Sequence, residues 1–193
     1  VPQLLKYGEA IGTLKWDNDP FGQGFLARIA KSSEKVRISR LNRIQKALAT
    51  AIPQFVEMKF IRDEVGHPHL EARYTHHRPN AGWQREDQFS DGTLRLVALF
   101  WLLIDGDSFL LLEEQELSLD EDIVRNLPRL IDQILRSGKR RKRQIFISTH
   151  SQALRANKGI DGRGVLRLER TKEGTIVHPP TAGVPVLGSV RIR

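Results

Sequence analysis

Apolar and polar residues along this chain follow two periods in turn, helical and strand-like, and the longest apolar stretch lies near the middle. From Val36 to Ile52 the apolar positions Val36, Ile38, Leu41, Ile44, Leu48 and Ile52 recur at roughly helical spacing, with Arg37, Arg40, Arg43 and Lys46 between them. That pattern predicts a helix starting near Ser33 and ended by Pro53. Phe55 to Ile61 and Leu70 to Thr75 alternate at period two about a turn holding Gly66 and Pro68, which predicts a β-hairpin. Residues 78–88 are polar and read as a loop. The run from Leu94 to Ile104 is interrupted only by Arg95. It predicts a helix over Thr93 to Ile104, buried nearly all round, with Ser90 as its N-cap.

Phe109 to Leu112 then reads as a short buried strand that runs directly into two acids, Glu113 and Glu114. Glu121 to Arg136 has one apolar face (Ile123, Leu127, Leu130, Ile131, Ile134, Leu135) and predicts a helix, capped by Ser118 or Asp120 and stopped at Gly138. Gln144 to Ser148 is a second short buried strand, ending in Thr149-His150-Ser151. A short helix over Gln152 to Ala156 and a hairpin of Val165–Leu168 and Thr175–Val177, about Glu173-Gly174, close the pattern. From residue 93 the order is helix, strand, helix, strand, helix, which predicts an α/β layer with parallel strands. Residues 1–33 show no period that runs far. They form an indistinct segment ahead of a lobe spanning 34–193.

Composition narrows the class. A chain of 193 residues with 39% hydrophobic and 28% charged positions can bury a sizeable core as one domain with an appendage. It has no cysteine, which excludes disulfides and thiolate metal sites and is compatible with a reducing, cytoplasmic setting. The longest apolar run is about half of the ~20 residues that a membrane span requires, and no signal peptide is visible. A net charge of +8 favours an anionic partner such as nucleic acid. The basic residues are spread out, however, and the one concentrated run, Lys139 to Arg143, reads most plainly as a solvated loop. The same holds for the arginine-bearing face of the first helix. His67, His69, His76 and His77 cluster about the hairpin, where surface histidines are a plainer reading than metal ligands. The chain opens at Val1 rather than Met, as expected of a fragment or a processed product.

Three short motifs carry the chemistry: FSDGT at 89–93, LLLEEQELSLD at 110–120 and IFISTHS at 145–151. Their order and intervals resemble the C-terminal half of an ABC-type ATPase head. The likeness is greatest to bacterial AAA family ATPases related to the structural-maintenance-of-chromosomes (SMC), RecF and overcoming-lysogenization-defect groups. It extends over about residues 35–178. FSDGT aligns with the ABC signature LSGGQ, and EEQELSLD with the Walker B and D-loop sequence DEPTSALD. The resemblance implies a P-loop NTPase fold with parallel core strands, flanking helices and a small β-hairpin element. It also implies ATP and Mg²⁺, and a second copy of the head closing over the nucleotide.

Residue by residue, Glu113 would hold the metal, directly or through water, because that hard cation prefers oxygen ligands. Glu114 would polarise the attacking water as general base, and His150 would be the switch histidine sensing the γ-phosphate. Ser90, Asp91 and Gly92, at a helix N-terminus suited to an anion, would meet the γ-phosphate held by the second copy. Asp120 would be the D-loop acid at the dimer interface.

The departures are as informative as the matches. Gln115 stands where transporters carry proline, and Asp91 replaces a signature glycine, a substitution frequent in the non-transporter members. A transporter subunit is therefore the weaker reading. The Walker A pattern GxxxxGK followed by Ser or Thr is absent from the sequence, so the cradle for the β- and γ-phosphates is expected in a preceding segment or a separate chain. If no such cradle exists, the lobe would instead be a non-catalytic basic scaffold for DNA or a partner protein.

Overall fold

Two long helices and one strand pair organise the molecule, and each is built on the apolar face that the sequence displays. The computed structural model describes residues 23–75, 82–105, 110–114, 116–117, 119–136, 144–155, 157 and 159–180. Helix α1 (Gln23–Lys31) arises in the segment without a clear period. Leu26 and Ile29 nevertheless lie in the common core, and Arg28 and Lys31 in its last turn suit the helix dipole. Helix α2 (Glu34–Ala51) buries Leu41, Ile44, Ala47 and Leu48 and ends at Ile52, immediately before Pro53. Val36 and Ile38 depart from the expected apolar face, since both are exposed near its start.

The arginines of α2 also depart from the expectation of a solvated face. Arg37 donates to the carbonyls of Ala30 and Ser32 and stacks on Phe60. Arg40 donates to Asp105 and lies over the Trp101 ring, while Arg43 donates to the carbonyl of Ile134. Each head finds an internal acceptor, so these cations serve as struts between elements.

The hairpin forms as predicted. Strands β1 (Phe55–Arg62) and β2 (Pro68–Tyr74) pair antiparallel, with an irregularity between Phe55 and Glu57. Where a polar loop is expected, a third short strand β3 (Gln84–Arg85) adds to β2, followed by a 3₁₀ turn over Glu86–Gln88. Leu70 and Ala72 of β2 face the core, whereas Glu71 and Arg73 sit on the outer face opposite Lys59 and Glu57. His69 is not a plain surface histidine. Its Nδ1 lies 2.8 Å from Glu86 and its Nε2 3.4 Å from Asp63, with the side chain 19% exposed. His76, His77 and the basic run at 139–143 lie outside the described residues.

Helix α3 (Asp91–Ile104) is buried on nearly every side, from Thr93 to Ile104. At its C-terminus Asp105 receives Arg28 at 2.6 Å and Arg40 at 2.7 Å, which ties α1, α2 and α3 together. Burial alone would raise the Asp105 carboxyl, but the two guanidiniums outweigh it and hold it below the usual carboxylate range. Strand β4 (Leu110–Glu113), helix α4 (Glu121–Arg136) and strand β5 (Ile145–Ser148) follow, and β4 and β5 pair parallel in register from Leu110 opposite Ile145 to Glu113 opposite Ser148. Antiparallel strands can be joined by a tight turn, but parallel ones need a crossover, and α4 supplies it. Helix α4 continues through Pro128, whose ring is buried with Val124, Leu127, Leu130, Ile131 and Ile134. A short helix α5 (Gln152–Arg155) packs on α4, and the hairpin of β6 (Arg167–Thr171) and β7 (Gly174–His178) turns at Gly174, whose φ of 139° suits glycine.

Among the described residues no helix is long and apolar enough to cross a membrane.

Candidate nucleotide site at the ends of two parallel strands

The alternation of β4 decides which way its acids point. Leu110 and Leu112 are buried, so Leu111 and Glu113 occupy the other face. Glu113 lies opposite Ser148 in the parallel register, which puts the acid beside the C-terminal end of β5. Ligands of open α/β sheets bind just beyond such strand ends.

Glu114 is the first residue past β4 and has a φ of 45°, the left-handed region that a β-carbon disfavours. Its N–H donates to the Ser148 carbonyl at 3.0 Å, and its own carbonyl accepts from Leu117 N–H at 3.2 Å. The chain therefore turns sharply as it leaves the strand, and the Glu114 side chain reaches His150. Their Oε1 and Nε2 atoms are 3.5 Å apart, with the imidazole 92% exposed and the carboxylate 43%. Strand pairing thus brings Glu113, Glu114 and His150 to one rim.

A residue given no role from sequence completes this rim. One oxygen of Glu116, Oε1, accepts from the Thr149 hydroxyl, from His150 N–H at 3.1 Å and from Ser151 N–H at 3.3 Å. Thr149 in turn accepts from Ser151 N–H at 3.0 Å, and Ser151 Oγ accepts from Leu154 N–H at 3.2 Å to cap α5. The sequence shows Glu116 only as the third acid of a run. Nothing in the spacing distinguishes it from its neighbours.

Ser90, Asp91, Gly92 and Asp120, singled out from the sequence, are not brought to this rim by any bond among the described residues; Ser90 and Asp120 bond locally. Ser90 is the N-cap of α3, accepting from Thr93 N–H at 3.2 Å and lying 2.9 Å from the Thr93 hydroxyl. Asp91 and Gly92 occupy the first turn of α3, where backbone N–H groups lack intrahelical acceptors. Asp120 caps α4, its carbonyl accepting from Val124 and its carboxylate from Asp122 N–H at 2.9 Å. Of the two capping candidates, Asp120 has this role, and Ser118 lies outside the described residues.

The donor set fits the hard cation implied by the motifs. Mg²⁺ is commonly held by one or two carboxylates with phosphate and water completing its shell. Glu113 at the strand end supplies that minimum, and no group of three or more ligating side chains is assembled among the described residues. The phosphate cradle is a different matter, because the sequence contains no GxxxxGK.

Comparison with known proteins bears on the fold. A family model described as "AAA domain, putative AbiEii toxin, Type IV TA system" matches residues 3–156. No curated protein matches the chain. Among solved structures, a chain from work on ATP-driven dimerization and DNA-stimulated activation of SMC ATPases superimposes with a TM-score of 0.55 at 14% identity, covering 82% of this chain and 88% of the other. The Smc head of Pyrococcus furiosus, with an extended coiled coil and bound to the C-terminal domain of ScpA, gives 0.55 at 17% identity over 80% of this chain and 39% of that one. An Smc head bound to the C-terminal winged-helix domain of ScpA gives 0.56 at 16% identity, covering 81% and 48%. The chain thus spans less than half of the latter two. Taken with the parallel strand pair and its flanking helices, these matches show an ATPase-head fold of the SMC type, and the chain belongs to the AAA domain family.

Proposed function

We propose that residues 34–193 form the C-terminal lobe of an ABC-type ATPase head that binds and hydrolyses ATP between two copies. The observation that carries this reading is the parallel pairing of β4 with β5, which sets Glu113 and Glu114 beside His150 at one sheet rim. In this reading Glu114 takes a proton from the attacking water, and Glu113 is the principal metal ligand. Mg²⁺, when bound, would neutralise phosphate charge and orient the phosphate oxygens. His150 faces the γ-phosphate. Ser90, Asp91 and Gly92 offer the first-turn amides of α3 to the nucleotide of the second copy, and Asp120 lies at the interface between them.

The cradle for the remaining phosphates would come from a Walker A segment outside the motifs carried here. The net charge of +8 supports nucleic acid as the molecule that the ATPase cycle acts on, in a DNA-related or defence process. A cytoplasmic location belongs to the same proposal. ATP-driven dimerization and DNA-stimulated activation, described for the SMC ATPases that share this fold, are the behaviours to look for.

Replacing Glu114 with Gln in the full-length protein tests the assignment. Turnover should fall by about 10²-fold or more, while bound ATP and the closed dimer persist. Unchanged turnover would overturn the catalytic role.

A further inference from the structure

Between β4 and α4, Leu117 N–H donates to the Glu114 carbonyl and Leu119 N–H to the Glu116 carbonyl. Asp120 caps α4. From between β4 and α4 Glu116 reaches across to the segment after β5 and accepts from three donors there on one oxygen. Its other oxygen is buried and has no hydrogen-bond partner among the described residues. Hydrogen bonds to an ionised acceptor are the stronger kind; without Glu116 the His150 N–H would lose its acceptor, and the Ser151 N–H would keep only a Thr149 hydroxyl that is itself no longer anchored. The His150 ring is 92% exposed, so its backbone, rather than packing around the ring, decides where the imidazole can go.

We propose that Glu116 is a positioning residue that holds Thr149-His150-Ser151 in register with Glu114, and that movement between β4 and α4 reaches His150 through this one carboxylate. Because one oxygen carries the whole clamp, a small rotation of the side chain loosens three bonds at once. A second copy pressing near Asp120 would therefore shift the histidine without touching it. This inference rests on the ATPase reading for its catalytic consequence, but the clamp itself does not.

The test compares Glu116→Ala, Glu116→Asp and Glu116→Gln in the full-length protein by amide hydrogen exchange and by ATPase kinetics. Ala removes the acceptor and Asp withdraws it by one methylene. Both should speed exchange at His150 and Ser151 while leaving α3 unchanged. Both should also lower kcat by about 10- to 100-fold, with the KM for ATP close to that of the unsubstituted protein. Gln keeps an acceptor oxygen at the same reach and should restore most of both. If the Ala variant does not fold, the Asp and Gln pair decides the matter. Unaltered exchange at the two amides in Glu116→Asp overturns the clamp, as does a Gln variant as defective as Asp. Absence of turnover in the unsubstituted protein would count against the ATPase reading, while exchange would still report on the clamp.

Discussion

Glu114 and Ser148 are joined by a backbone hydrogen bond of 3.0 Å at the point where Glu114 adopts a φ of 45°. The bond extends the parallel ladder by one step and holds the acid in a conformation that costs a residue with a β-carbon roughly 1–2 kcal/mol. Glycine adopts that conformation freely but loses more entropy on folding, so the two terms nearly cancel. Glu114→Gly should therefore leave stability within about 1 kcal/mol of the parent, whereas Glu114→Val should cost about 1–2 kcal/mol more than Gly. Equilibrium denaturation measures both. Equal stability of the Val and Gly variants would mean that the turn is not strained.

Ser90 has two assignable roles, and one substitution separates them. Its Oγ caps α3 by accepting from Thr93 N–H, so Ser90→Ala should cost about 1 kcal/mol in thermal or chemical melts. Aspartate caps as well as serine does. Ser90→Asp should keep the stability but place a negative charge where the γ-phosphate of the second copy is expected, abolishing ATP-dependent association in sedimentation or light scattering. Normal association of the Asp variant would leave Ser90 as a cap alone.

The Arg28–Asp105–Arg40 cluster gives a stability prediction away from the site. The three side chains are 30%, 19% and 17% exposed in that order, so water screens part of the interaction. Asp105→Asn leaves two guanidiniums facing a neutral amide and should cost about 1–3 kcal/mol, below the range for fully buried pairs. Urea denaturation reads the loss directly. A change of a few tenths would show that the cluster is dispensable.

Stability should also depend on pH through the hairpin. The hydrogen bond to Glu86 raises His69 above its ordinary 6.5, against partial burial, and the contact with Asp63 adds to the rise. A raised folded pKa means a contribution that is complete below 6.5 and is lost as pH climbs through the raised value. Partial burial works against ionisation of Asp63, but the His67 N–H and the two imidazoles outweigh it and lower the carboxyl from 3.8 to about 2. Its contribution is present above 3.8 and disappears as pH falls towards that lower value. Thermal melts across this span should show the hairpin contribution greatest between the two ordinary values. His69→Gln should remove the decline on the alkaline side, and an unchanged pH profile in that variant would refute the link.

The elements that sequence shows best are those whose burial is periodic. Helix α4 coincides with its predicted range because its apolar stripe and its capping acid are both local features. Helix α3 agrees to within two residues for the same reason. Helix α1 and strand β3 are not apparent in the sequence. The first is short, and the second exists only because β2 offers it an edge to pair with. The α2 arginines show a further limit, since an arginine between apolar positions has the same pattern whether its head meets water or the carbonyl of Ile134.

The order of the three motifs, FSDGT, LLLEEQELSLD and IFISTHS, also comes from the sequence alone, and with it the kind of ATPase head that this chain resembles. That order survives because each motif is written in adjacent residues at the end of a locally specified element. The relations between motifs required the tertiary structure. Parallel pairing sets Glu113 opposite Ser148, the ladder holds Glu114 in a left-handed conformation, and Glu116 finds three donors more than thirty residues away in sequence. A carboxylate's acceptors and partners depend on which backbone groups the fold leaves unpaired beside it. Only the assembled sheet decides that.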